Sequence, residues 1–473
     1  MTIDVLPDVA LLDIFDFYLA QEHIEAWHTL VHVCRKWRNV VFGSPRRLNL
    51  RLYYSSLRDP MKEMLDIWPA FPIVIMIRDP DINWRWSIYN IIEALAHNDR
   101  ICELELTNLP SPQLYEVLPA MQFPFPALKT LRFGPVREIE VNPVFQPDSF
   151  LGGSTPRLQS LMLDCISFPE LPKLLLSATH LVSLELRKIP RSGYISPEAL
   201  VTGLSGLTCL ESLDITFESP LFFPDQNSPR LPPQTRTLLP ALTQLWFIGV
   251  CEYLEHLVAQ IDAPLLDRFG TTFLPQQIFD TAELTQFITR APNFEAYDEA
   301  AAEACMAFSC QAAGVTFSQG FEGELGVGIS SRQPDLQLSY LPQICRSSFA
   351  RTFIPIVESL YIDENDYPPE LPPLEWPDDI EGNQWLELLH PFTAVKDLYI
   401  SWELELRIAL ALKELVGDSV VETLPALQTL FLEEPPWESS SSGPVQEAIG
   451  QFVAARQLAG HPITTSRCKF KVR

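Results

Sequence analysis

One short unit, apolar-x-x-apolar-x-apolar, recurs along most of this chain and restricts its fold more than any other feature. It reads as Ile101-Leu104-Leu106, Leu128-Leu131-Phe133, Leu158-Leu161-Leu163, Leu181-Leu184-Leu186, Leu210-Leu213-Ile215 and Leu242-Leu245-Phe247. It returns as Leu266-Phe269, Val357-Leu360-Ile362, Val395-Leu398-Ile400 and Leu427-Leu430-Leu432. The first six steps are 27, 30, 23, 29, 32 and 24 residues. Alternation over four or five residues makes a strand with one buried face. A lone strand cannot hide that face, so the units must stack in parallel into a continuous wall.

Helical spacing fills the intervals. Ile88, Ile91, Ile92 and Leu95 form one stripe; Leu284, Phe287 and Ile288 form another, behind an Asp280-x-x-Glu283 capping box. Trp385, Leu388 and Leu389, then Ile408, Leu412 and Leu415 up to Gly417, predict two more. A last helix opens near Gly443-Pro444, buries Ile449, Phe452 and Val453, and stops at Gly460. The ending, 463–473, reads either as a closing strand or as a frayed tail. Between about 294 and 350 the periodicity fades: Phe294 to Phe308 and Leu336 to Leu341 are read as strands without a register. Gly320, Gly323, Gly326 and Gly328 follow no phosphate-binding spacing and are read as a turn between strands.

Composition narrows the partners. The formal net charge is −26, which opposes nucleic acid and anionic membranes alike. The N-terminal part is locally basic (Arg35, Lys36, Arg38, Arg46, Arg47, Arg51, Arg58, Lys62), whereas Asp363 to Glu387 carries nine carboxylates and no Lys or Arg. The 42 prolines are spread as punctuation between short elements. Nine cysteines stand singly, as expected of core residues in a reducing compartment. Asp8, Asp13 and Asp16 interrupt the first apolar run, so it is not read as a signal peptide, and no apolar stretch suits a membrane span. A cytoplasmic or nuclear location is expected.

The first fifty residues carry two apolar stripes. Leu6-Pro7-Asp8 leads into Leu11, Ile14, Phe15, Tyr18 and Leu19; Trp27, Leu30, Cys34, Trp37 and Val41 come next, widened by Val33 and Val40. These faces exceed what two or three short helices can cover for one another, so the rest of the chain or a partner must cover them. Leu6-Pro7, Ile14-Phe15 and the closing Val33-Cys34-Arg35-Lys36-Trp37-Arg38 together resemble the F-box, over about residues 4 to 45. That resemblance implies helices that pack against the Skp-type adaptor, and through it cullin, of an SCF ubiquitin ligase. It nominates Leu6, Pro7, Leu11, Ile14 and Phe15 as adaptor contacts, with Leu30, Cys34 and Trp37 in the F-box core. Residues 20–26 depart from the family by carrying Gln, Glu and His where a short Asp-Leu turn is usual.

The repeat unit resembles the leucine-rich repeat, although the position eight residues after the first apolar, often Asn or Cys, is Leu109, Val136, Ile166, Ile189 and Val250. The expected fold is α/β: a small all-α F-box (4–45), a linking segment and first repeat (46–100), leucine-rich repeats (101–290), irregular repeats (291–350), and C-terminal repeats with the acidic proline-rich insert and a capping helix (351–473). The expected array is an irregular solenoid, a curved parallel sheet with helices outside. The layout also resembles the F-box proteins with degenerate repeats that are abundant in fungi.

No catalytic constellation emerges. His28 and His32 have zinc spacing, but Thr29 stands where a general-base Glu would follow, and no third ligand is in view. No G-x-S-x-G elbow positions a serine. The expectation is a non-catalytic subunit without metal or cofactor: a substrate receptor, or alternatively an adaptor-binding scaffold acting outside ubiquitin transfer. Strand alternation assigns Glu103, Glu105, Lys129, Arg132, Gln159, Met162, Ser183, Glu185, Glu211, Asp214, Gln244 and Trp246 to the solvent face. Of these, Glu105, Glu185, Asp214 and Trp246 are the candidate target-binding residues, suited to a net-basic protein target.

Overall fold

The computed structural model describes residues 6–469 apart from 22–26, 55–64, 66–68, 78–83, 136–149, 220–234, 277, 296–301, 320–321, 348–352, 365–373, 375, 378–379, 381 and 435–441. The chain divides into two compact units, Met1–Tyr194 and Ile195–Arg473.

The first unit opens with helices α1 (Asp8–Gln21), α2 (Trp27–Val33) and α3 (Arg35–Gly43). The stripe from Trp27 to Val41 is not one helix. Cys34 is extended (φ −158°, ψ 170°), and its Sγ accepts the Trp37 N–H at 3.5 Å, so the residue breaks one helix and caps the next. The break leaves Val33 turned outward while Val40 and Val41 turn in. Trp27 anchors the helices to the segments that lead into the first two strands. Its Nε1 donates to the Arg51 carbonyl at 3.0 Å, and its ring meets Phe71 edge-on at 5.6 Å.

Strands β1 (Leu52–Tyr54), β2 (Ile73–Ile77), β3 (Ile101–Leu109), β4 (Thr130–Pro135), β5 (Ser160–Asp164) and β6 (Ser183–Ile189) are then laid down in sequence order, all parallel. Helices α4 (Trp84–Leu95), α5 (Ser111–Val117) and α6 (Leu171–Leu175) lie between them in the chain. The predicted register holds: Leu104, Leu131, Leu161 and Leu184 are aligned partners, as are Leu106, Phe133, Leu163 and Leu186. All eight are buried. Burying one such side chain is worth about 1.5–3 kcal/mol.

The second unit runs α7 (Pro197–Leu204), β7 (Ser212–Phe217), β8 (Thr237–Leu238), β9 (Gln244–Gly249), α8 (Cys251–Gln260), β10 (Ile261–Asp262), β11 (Arg268–Phe273), α9 (Ala282–Thr289) and α10 (Pro292–Glu295). Next come β12 (Ala302–Phe308), β13 (Ala312–Gln319), β14 (Glu322–Ser330), α11 (Pro334–Arg346), β15 (Val357–Glu364), α12 (Gly382–Leu389), β16 (Asp397–Ile400), α13 (Glu405–Lys413), α14 (Ser419–Glu422), β17 (Thr429–Glu433), α15 (Ser442–Leu458) and β18 (Thr464–Cys468). Its sheet has the order β7-β9-β11-β14-β13-β12-β15-β16-β17-β18, and β8 and β10 form a small side pair. Every main-sheet pairing is parallel except the β12-β13-β14 meander. Outside the meander, parallel strands are joined by helices or by irregular segments, which is the layout of a degenerate α/β leucine-rich repeat array.

Here the structure corrects three expectations. Leu336 to Leu341 is not a strand: Pro334 opens α11, and Leu338, Leu341, Ile344 and Cys345 turn in at helical spacing. Phe294 lies in α10, so only the end of the 294–308 segment is a strand. The Asp280-x-x-Glu283 box does not form. The buried Glu255 carboxylate on α8 instead accepts the N–H groups of Glu283 and Leu284, each at 2.8 Å, capping α9 from the preceding repeat. At the far end Arg456 of α15 is wholly buried and donates to the carbonyls of Val420, Leu424 and Leu427 at 3.0, 3.2 and 3.2 Å, where Leu424 takes a left-handed φ of 55°. The closing-strand reading of the ending holds for β18, while 470–473 lie outside the described residues.

Burial, set against the two N–H donors, pushes the Glu255 carboxyl up to about 7 from an ordinary 4.5. Between these values the folded protein keeps a proton that the unfolded chain has released, so stability rises as pH falls through that window. Glu255→Gln should remove this slope. Urea midpoints for both proteins at mildly acidic and mildly alkaline pH check it: wild type should gain on the variant at the acidic value. A difference that stays constant with pH would refute the assignment.

Candidate functional site

Two surfaces carry the residues nominated from sequence. The first is α1. At 100° per residue, Leu11, Leu12 and Phe15 fall on one side of this helix and Val9, Ile14 and Phe17 on the other. The chain buries the first side: Leu11 and Phe15 are 0% exposed, and Phe15 packs on Trp37 at 4.8 Å between ring centroids. These two nominated contacts are therefore core residues. The second side is open, with Val9, Ile14 and Phe17 exposed by 62, 45 and 65% and Val33 of α2 by 53%. Pro7 is exposed and Leu6 half-buried, its carbonyl held by Lys36 Nζ at 2.7 Å. Leu30 is core as expected; Cys34 caps a helix, and Trp37 is only half-buried. Val9 and Phe17 were missed because the motif draws attention to its own letters, although apolar residues all round α1 were readable.

The second surface is the outward row of the strands. In the first unit Glu105, Arg132, Met162 and Glu185 are register partners, all half-buried. Lys129, Gln159 and Glu211 do not belong to the rows; they precede their strands, and Thr130, Ser160 and Ser212 take those places. The acidic surplus is partly matched, since Arg51 pairs with Glu103 and Arg187 with Glu185.

In the second unit a single row runs Asp214, Trp246, Gly270, Gly326, Thr316, Cys305, Tyr361, Tyr399, Phe431, Ser466. Asp214 accepts from the Thr216 hydroxyl at 3.3 Å. Trp246 is half-buried because its indole lies across the next strand, where a Cβ on Gly270 would fall on the ring. The glycines at 326 and 328 are strand residues rather than a turn. A Cβ at Gly328 would meet the Ala313 carbonyl at 2.7 Å, so the meander's backbones approach too closely for a side chain there.

Beyond that bare stretch three rings stack. Tyr361 and Tyr399 lie 4.3 Å apart at 12°, Tyr399 and Phe431 4.4 Å apart at 6°. All three are half-buried. Sequence reasoning passed over them, yet the signal was present: aligned, the last repeats read Leu360-Tyr361-Ile362, Leu398-Tyr399-Ile400 and Leu430-Phe431-Leu432, with an aromatic at the outward position each time.

Burial pushes the Cys305 and Cys345 thiols up to about 12, far from a thiolate nucleophile. Among the described residues no group of three or more His, Cys, Asp or Glu is placed to hold a metal ion, and no helix is long and apolar enough to cross a membrane. Most of the acidic insert lies outside the described residues; of those described, Trp376 donates to Glu364 at 2.8 Å and receives Arg407 over its ring at 5.6 Å.

The Trp246–Gly270 contact is open to test. Gly270→Ala should lift the indole into water and red-shift its emission. The shift should vanish when Trp246 is also Phe, and an unshifted spectrum in a folded variant would place the ring elsewhere.

No family model matches the chain, and no curated protein matches it. Among solved structures it is similar to the leucine-rich repeat-containing protein LegL7 of Legionella pneumophila, with a TM-score of 0.28 and 13% identity, over 87% of this chain and 98% of that one. At that score and identity the likeness carries no argument about activity or partners.

Proposed function

We propose that this chain is a non-catalytic receptor subunit of an SCF-type ubiquitin ligase. Its N-terminal helices dock on a Skp-type adaptor, and through it on cullin, while its repeats hold a protein target in the cytoplasm or nucleus. The observation that carries this reading is the doubly apolar α1. The chain buries Leu11, Leu12 and Phe15 and leaves Val9, Ile14 and Phe17 exposed, as it does Val33 of α2. Apolar side chains grouped on one outward helix face need a cover, and a partner supplies it. The Leu6-Pro7, Ile14-Phe15 and Val33-to-Arg38 signature supplies the kind of partner by resemblance. The repeats support the other half of the reading, because their outward rows are not consumed by the core and can face a target.

Two variants separate docking from folding. Ile14→Asp/Phe17→Asp should lose adaptor co-purification by at least about tenfold while the melting curve is kept, because both side chains are exposed. Leu6→Ala/Pro7→Ala should weaken capture in the same direction. Retained adaptor binding by the folded Asp variant would refute the docking face. If adaptor binding is real but removal of residues 4–45 leaves every captured partner's level unchanged in cells, ubiquitin transfer is not its outcome.

A further inference from the structure

The Tyr361-Tyr399-Phe431 stack has neighbours of one sign. Two residues before it on the same strands, the row holds Glu303, Ser359, Asp397, Thr429 and Thr464. Two residues after it stand Asp363 and Glu433. Glu403 comes next, from the turn into α13, its carboxyl pushed up to about 7 by burial and then by Glu433 and Asp363. On the other flank the Tyr361 and Tyr399 hydroxyls are pushed up by burial and by the charges of Glu303 and Asp397. Lys396 pairs with Glu358 at 2.6 Å, Lys469 with Glu434 at 4.0 Å, and Arg467 with Glu405 at 2.6 Å while also donating to the Glu433 carbonyl at 3.0 Å; the Glu433 carboxylate accepts the Trp402 N–H at 3.3 Å.

A stack of cross-strand rings stabilises a sheet, but acids of one sign placed along both of its flanks do not. Carboxylates on both flanks instead attract a cation to the rings between them. Among the described residues the stack ends at an exposed serine. Adjacent strands are spaced by about 4.7–4.9 Å, and Ser466, the exposed partner of Phe431, carries too little to add a ring there. A planar cation fits that place better than a spherical one, because it continues the stack and presents paired N–H groups to a carboxylate.

We propose that the Tyr361-Tyr399-Phe431 stack, with Glu303, Asp397, Asp363 and Glu433 along its flanks, is the docking site for an arginine-bearing segment of the target protein. Guanidinium groups lie against the half-buried rings and over Ser466, and they pair with the flanking carboxylates. A neutral apolar segment would desolvate those carboxylates without compensation, and a nucleic acid would be repelled by them. The proposal rests on the reading of the repeats as a target-holding surface and names the chemistry of that target.

The test measures fluorescence anisotropy of the full chain with three short labelled peptides of equal length, alternating Gly with Arg, Lys or Glu, at near-physiological salt. A chain of net charge −26 attracts any cation, so the Lys peptide is the control for bulk electrostatics. Wild type should bind the Arg peptide about tenfold more tightly than the Lys peptide, and the Glu peptide not at all. Asp397→Asn/Glu433→Gln should weaken the Arg peptide by about tenfold or more. Tyr399→Leu should erase the preference for Arg over Lys. Equal binding of Arg and Lys by wild type, no binding of either, or unchanged affinity in the folded Asn/Gln variant overturns the proposal. The charge variant keeps the test decisive even if Tyr399→Leu fails to fold. Adaptor capture by the same preparations separates the two readings: capture kept with Arg binding lost sinks only this proposal, and the reverse sinks the receptor reading.

Discussion

A parallel strand satisfies its backbone only by borrowing from its neighbours, and this dependence organises both units. Each repeat contributes one strand whose N–H and C=O groups point sideways at the next, and one leucine row that is hidden only when the next row is present. The pairings also begin ahead of the strands: Lys129 N–H donates to the Cys102 carbonyl at 2.7 Å, and Gln159 N–H to the Lys129 carbonyl at 2.7 Å. Side chains extend the same dependence between repeats. Glu255 on one helix caps the helix after it, and Arg456 ties α15 to carbonyls in and after α14. These contacts join each repeat to its neighbour in the array rather than to a common centre.

This explains which parts were legible in the sequence. Leu104, Leu131, Leu161 and Leu184 were placed correctly because period-two alternation is a direct report of one-sided burial. The meander was not, because most of its outward positions (Cys305 and Ala307, Gly314 and Thr316, Gly326 and Gly328) are small, and polar contrast is confined to its first row, Glu303, Ser318 and Glu324. Leu336-x-Leu338 mimicked a strand, and only Pro334 with Leu341 and Ile344 told otherwise. The cap on α9 was unreadable locally, since its carboxylate arrives from 28 residues away. For α1 the sequence announced a surplus of apolar surface but not its division. Which face turns inward depends on where Trp37 lies, and that depends on the break at Cys34.

The same alternation keeps folding and recognition apart. Inward positions of β15, β16 and β17 carry Leu360, Leu398 and Leu430, all fully buried, while the outward neighbours carry the ring stack. Outward residues can therefore change with little effect on the wall behind them. In the first unit, part of the outward charge is already matched by the chain's own arginines. In the second, carboxylates lie along both flanks of the rings.

The order of strands in the second unit has a consequence for how the protein assembles. An odd number of strands in the meander preserves polarity, so β14 runs parallel to β11 and β12 parallel to β15. The order is reversed, however: the strand made last lies beside β11, and the strand made first lies beside β15. A growing array can ordinarily add repeats one at a time and fray the same way. At β11 it must stop, because Phe269 and Gly270 have no edge partner until Leu325 and Gly326 have folded back over β13. The seam between β11 and β14 therefore depends on the whole meander, unlike the sequential pairings before and after it.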